Sequence, residues 1–164
     1  MTEVLDRLDL IDFQHNNRCL NLLVQHCKTE KQYELLVNNL NYLQNNLDKT
    51  GLVDVYEAYM SCERYYHISQ LILNKKNAVV IDCGCGEGFQ QLFFQDCKRY
   101  IGIDAVKTQF LLADNASFYL GDVKDILPKL NIDGDTYGIS VLCGMCFDDV
   151  RQAMYERFDR VINI

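Results

Sequence analysis

An apolar strand that runs straight into three glycines at alternate positions is the feature that most restricts how this chain folds. The segment reads Ala78-Val-Val-Ile-Asp-Cys-Gly-Cys-Gly-Glu-Gly88. Its opening apolar residues fit a strand buried on both faces of a parallel sheet, and Asp82 stands at the carboxyl end of that strand. Gly84, Gly86 and Gly88 allow a tight turn and a close approach of backbone to ligand, with no Cβ in the way. The residues from Phe89 to Cys97 have helical spacing, which sets the N–H groups of the turn at a helix N-terminus. The glycine pattern is G-x-G-x-G. The dinucleotide fingerprint G-x-G-x-x-G would need its third glycine at Phe89.

Two later segments repeat the strand-then-acid arrangement. Tyr100-Ile-Gly-Ile-Asp104 ends in a carboxylate about twenty residues beyond Asp82, the length of one βαβ step, and suits a ribose-bearing ligand. Ala116-Ser-Phe-Tyr-Leu-Gly-Asp122 is again a strand followed by Gly-Asp. Each acid also has a plainer reading: Asp82 bonded to its own loop, Asp104 a solvated turn residue, and Asp122 an N-cap. The alternation predicts strands near 78–83, 100–104, 116–120, 137–143 and 160–164, with helices near 89–97, 107–114, 123–130 and 148–158. Pro128, the single proline, should end or kink the third of these helices. Such alternation implies a parallel sheet with helices on both faces, binding its ligand at the carboxyl edge.

Upstream, the periodicity is helical. Tyr33, Leu36, Leu40, Leu43 and Leu47 step by three and four along one face, and Gly51 suits the cap that ends this helix. A further helix is expected over about 52–75, with Val55, Tyr59, Cys62 and Tyr66 on its stripe, and shorter helices over 2–13 and 17–27. The leucine stripe reads as core, two heptads being too few for a coiled-coil seam; a homodimer, if one forms, would use these N-terminal helices.

Asp82 and the G-x-G-x-G turn with Cys85 inside it resemble motif I of the class I S-adenosylmethionine (SAM) dependent methyltransferases. The resemblance covers residues 77–164. It implies an α/β Rossmann-like, doubly wound, mainly parallel sheet of about five strands in the order 3-2-1-4-5, lacking two further C-terminal strands usual in the family. A helical region, 1–76, would precede this core as a cap or accessory packed on the same domain. The resemblance also implies SAM as cofactor, with Asp82, Gly84, Cys85, Gly86 and Gly88 at the turn. Asp104 with Ala105 would meet the ribose, and Asp122 with Val123 the adenine. The implied activity is methyl transfer to a small molecule or a protein side chain. The alternative is a SAM-binding or methyltransferase-like regulatory subunit without catalysis, motivated by the absent strands and the long helical N-terminal region.

No catalytic residue is assigned, because displacement at a sulfonium asks mainly for positioning and exclusion of water. The acceptor edge would be Ile139-Ser-Val-Leu-Cys-Gly-Met-Cys-Phe-Asp148, where Cys143, Cys146 and Asp148 are candidates and Asp148 is equally a helix cap. The edge holds no Asn-Pro-Pro-Tyr or Asp-Pro-Pro-Tyr sequence, which disfavours amino-directed DNA methylation. Tyr56, Tyr59, Tyr65 and Tyr66 either wall the acceptor pocket or pack their helix on the sheet.

The formal net charge of −7 argues against broad nucleic-acid binding. The first residues lack the apolar stretch of a signal peptide, and no apolar run reaches membrane-spanning length, so the expected setting is the cytoplasm, with the eight cysteines reduced. Cys83, Cys85, Cys143 and Cys146 are the thiols a metal would need, but C-x-C is poor zinc spacing and no metal site is assigned. His15 and Cys19, spaced as a helical ligand pair, add little on their own.

Overall fold

The computed structural model describes residues 13–50, 55–107, 110–141 and 148–163. Among the described residues three helices come first: α1 (Phe13–His26), α2 (Glu30–Thr50) and α3 (Val55–Leu71). They lead into β1 (Ala78–Cys83), a 3-10 helix (Phe89–Phe94), β2 (Arg99–Asp104) and β3 (Ala116–Leu120). The chain closes with α4 (Val123–Ile126), β4 (Asp135–Ser140), α5 (Asp148–Arg157) and β5 (Val161–Asn163). The five strands form one sheet in the order β3-β2-β1-β4-β5, and every pairing is parallel. This is the implied doubly wound order, with the crossover reversing direction beside β1.

The side-chain alternation of the strands divides the core in two. Ala78 and Val80 of β1 and Tyr100 of β2 face a layer built from Leu20 and Leu23 of α1, Leu36 and Leu40 of α2, Tyr65 and Ile68 of α3, and the phenylalanines of the 3-10 helix. Val79, Ile81 and Cys83, with Ile101 and Ile103, face the opposite layer of Val123, Leu127, Val150, Met154 and Phe158. The N-terminal helices therefore share a single core with the sheet. Among the described residues no helix is long and apolar enough to cross a membrane.

Several expectations change in detail. Leu36, Leu40 and Leu43 are buried as the stripe predicts, whereas among the described side chains of α3 the buried ones are Cys62, Tyr65, Ile68 and Ser69, with Tyr66 half-buried. The helix expected over 89–97 is a 3-10 helix over Phe89–Phe94, and Asn115 Nδ2 donates to the carbonyls of Phe94 and Cys97 just beyond it. The helix expected over 107–114 is absent at 110–114. There the Leu112 and Ala113 amides donate to Gln91 Oε1 at 2.7 and 2.9 Å, and the Phe110 amide donates to the Glu87 carbonyl, so side-chain and loop acceptors replace a helical ladder. Pro128 falls in a 3-10 turn, Leu127–Lys129, directly after the single α-helical turn of α4, as its missing N–H requires. The helix over 2–13 lies outside the described residues except for Phe13, and Gly51, Cys143 and Cys146 lie outside them altogether.

Gly102 in β2 lies where a side chain has no room. A Cβ there would stand 2.5 Å from the Phe118 ring and 2.7 Å from Cys85 Sγ. Gly102→Ala should lower stability by about 1–3 kcal/mol, the usual cost of overpacking, read as a reduced midpoint in urea at unchanged slope.

Candidate functional site

The glycine turn begins where β1 ends. Gly84, Gly86 and Gly88 all have positive φ, at 78°, 55° and 79°, so the turn takes the left-handed conformation at each alternate residue. Beneath it lies Asp82, with no solvent exposure. Its carboxylate accepts three side-chain hydrogen bonds: from Tyr65 OH to Oδ1 at 3.0 Å, and from Tyr100 OH and Gln90 Nε2 to Oδ2 at 2.6 and 2.7 Å. The same Gln90 amide nitrogen also donates to the Cys85 carbonyl at 2.7 Å, tying the turn to the carboxylate under it. Desolvation pushes the Asp82 carboxyl up to about 6, and the three donors only partly oppose the shift.

Asp104, at the end of β2, reaches up to the turn from one side. Its Oδ2 accepts from the Gly86 amide at 2.8 Å and its Oδ1 from the Val106 amide at 2.9 Å. Asp122 caps α4, accepting from the Lys124 amide at 2.9 Å. Lys124 Nζ stands 3.8 Å from Asp122 and 2.7 Å from Asp149 at the start of α5, spanning the space between the two helices. A cavity of about 400 Å³ opens at this carboxyl edge, lined by Gly84, Asp104, Ala105, Asp122 and Val123 together with Gly121, Lys124, Asp149 and Val150. Three carboxylates therefore face one ammonium group.

Of the nine residues singled out from the sequence, five line this cavity: Gly84, Asp104, Ala105, Asp122 and Val123. Asp82, Cys85, Gly86 and Gly88 do not. Asp82 is walled in by its donors. Cys85 is buried against Gly102, and burial pushes its thiol far up. Gly86 carries the amide held by Asp104. A Cβ at Gly88 would stand 2.7 Å from the Phe118 ring. Among the described residues no group of three or more His, Cys, Asp or Glu is placed to hold a metal ion.

Tyr65 is buried against Asp82, and Tyr66 packs edge-on to His26 and Phe93, so both join α3 to the sheet layer; the side chains of Tyr56 and Tyr59 lie outside the described residues. Lys124 and Asp149 went unread, since nothing local marks two surface charges that meet across 25 positions. Gln90 and Gln91 do leave a sequence signal, two amides inside the apolar run Phe89–Phe94, and both side chains are buried and hydrogen-bonded.

No protein-family model and no curated protein matches the sequence. Among solved structures, the chain is similar to a precorrin-8W decarboxylase of Methanobacterium thermoautotrophicum, at 23% identity and a TM-score of 0.52 over 62% of this chain and 61% of that one. It is also similar to the plantazolicin methyltransferase BpumL in complex with S-adenosylhomocysteine (SAH), at 16% identity and a TM-score of 0.45 over 91% of this chain and 58% of that one. The chain thus spans about three fifths of the length of each. The first likeness is one of fold alone, an α/β architecture with an all-parallel, doubly wound sheet.

The buried carboxylate predicts a distinctive pH response. Asp82 holds its proton more tightly folded than unfolded, so its contribution to stability is fully present below about pH 4 and is lost as pH rises through 6. The shift corresponds to roughly 3 kcal/mol. Asp82→Asn should flatten that part of the stability curve relative to the unaltered protein, measured by urea unfolding at intervals from pH 4 to 7.

Proposed function

We propose that this chain binds SAM in the cavity at the carboxyl edge of the sheet and transfers its methyl group to a small-molecule or protein acceptor. The N-terminal helical region, on this reading, serves as the cap of that core. The observation that carries the proposal is the meeting of Asp104 and Asp122, from two neighbouring strand ends, with Gly84 of the glycine turn around one cavity of about 400 Å³. That volume lies within the range of small-molecule sites.

The donor set fits the cofactor. Each Asp104 oxygen already accepts one backbone N–H, and a carboxylate offers about four acceptor positions, so capacity remains for two ribose hydroxyls. The Val123 amide follows Asp122 at the cavity wall, where an adenine edge would need a donor beside an acceptor. Three carboxylates against one ammonium favour a ligand of net positive charge and oppose a pyrophosphate, which separates SAM from a nicotinamide dinucleotide. When bound, SAM supplies a methyl group already activated on a sulfonium. The chain's own part is then to hold the nucleoside and keep water from the acceptor.

A specific observation favours the non-catalytic alternative. Asp82 is fully engaged in the core, Asp104 holds the turn, and Asp122 caps a helix, so each acid has a structural occupation whether or not a ligand is bound. Isothermal titration with SAM, SAH and NADH tests the first reading: the first two should bind and NADH should not, and absence of SAM and SAH binding at high micromolar concentration would overturn it. Labelled methyl transfer into a mixed pool of small molecules and proteins separates enzyme from binding subunit. Asp104→Ala should weaken SAH binding by about 1.5–3 kcal/mol, the usual loss for hydrogen bonds to a charged group, and an unchanged dissociation constant would remove Asp104 from the site.

A further inference from the structure

The cavity wall is connected to the N-terminal helices by an unbroken run of hydrogen bonds. Tyr65 OH on α3 donates to Asp82 Oδ1 at 3.0 Å. Gln90 Nε2 donates to Asp82 Oδ2 and to the Cys85 carbonyl, both at 2.7 Å. The next amide, Gly86 N–H, donates to Asp104 Oδ2 at 2.8 Å, and Asp104 lines the cavity. Tyr65 and Asp82 are 1% and 0% exposed, so water does not compete for the bond between them. The Tyr65 ring is set edge-on to Phe94 of the 3-10 helix, and Phe94 stacks on Tyr100, a second donor to the same carboxylate.

We propose that Tyr65 is a positioning residue for the glycine turn, acting through Asp82 and Gln90, so that the N-terminal helices set the geometry of the nucleoside cavity. The phenol supplies the hydrogen bond to Oδ1. Without it, a fully buried carboxylate oxygen loses its donor, and the lowest-cost repair is for Gln90 or Tyr100 to turn toward it. A turned Gln90 leaves the Cys85 carbonyl with only the Gly88 amide, at 3.2 Å, and the left-handed residues Gly84 and Gly86 carry no side chains to hold their part of the turn. The coupling is reciprocal: a ligand that fixes the turn also fixes α3 on the sheet. The link to a nucleoside rests on the function proposed above, whereas the link from Tyr65 to the turn does not.

Hydrogen exchange at single amides, read by NMR on the full chain without ligand, tests the positioning directly. Tyr65→Phe should speed exchange of the Gly86 amide by tenfold or more while the Val80 and Ile101 amides of the central strands keep their protection. Tyr66→Phe, which removes a phenol one residue along the same helix, should leave Gly86 unchanged. Gln90→Met, which keeps Tyr65 and deletes the amide donor, should loosen Gly86 in the same way and covers the case in which Tyr65→Phe fails to fold. Unaltered Gly86 exchange in Tyr65→Phe or in Gln90→Met, or a uniform rise at every amide, would overturn the proposal. SAH affinity should fall several-fold in both variants. If the unaltered chain binds no SAH but Gly86 still loosens selectively, the positioning role stands and the ligand assignment fails.

Discussion

A carboxylate with no access to water sits at the centre of this molecule, and much of the surrounding structure supplies its donors. Leaving such a charge unpaired in an apolar interior costs more than most single contacts return. Asp82 avoids that cost by drawing one phenol from α3, one from β2 and an amide from the 3-10 helix. These three elements are separate in sequence, so satisfying one residue fixes how a helix, a strand and the segment after the glycine turn sit together. Desolvation still wins over the donors, which leaves the carboxyl titrating near the neutral range.

The packing of the first sheet face follows from the same constraint. A single 3-10 helix of six residues follows β1, too short to cover that face. The remaining surface is closed by α1 and α3, whose Leu20, Leu23, Tyr65 and Ile68 meet Val80, Tyr100 and Ile139 in one cluster. Gln91 completes the joint: its amide group donates to Gly88 and Phe110 and accepts from Leu112 and Ala113, so the stretch expected to be helical is held as a loop by one buried side chain. Buried amides in an apolar helix are costly unless they are hydrogen-bonded, and here Gln90 ties the Asp82 carboxylate to the turn while Gln91 bridges the turn to the 110–113 loop.

The candidate site carries two kinds of acid. Asp104 and Asp122 face the cavity while also serving the backbone beside them, one through the turn and one through the α4 cap. Asp82 belongs to the framework underneath. Opposite the strand ends, Lys124 and Asp149 pair across the cavity between α4 and α5, both half-exposed, so their attraction is weak and yields readily to a ligand.

Local pattern was enough to locate the strands, the glycine turn and the three strand-end acids, because apolar runs, alternate glycines and terminal carboxylates are written in consecutive residues. The βα alternation was likewise enough for a parallel sheet joined by right-handed crossovers, whereas the strand order β3-β2-β1-β4-β5 was implied only by the family resemblance. The division of labour among the acids was decided in three dimensions. Asp82 and Asp104 end adjacent strands with the same local signature, yet one is sealed by Tyr65 and Tyr100, 17 and 18 positions away, and the other opens on a cavity. Whether a carboxylate binds a ligand or holds the fold depends on which donors and how much water reach it, and non-local packing sets both.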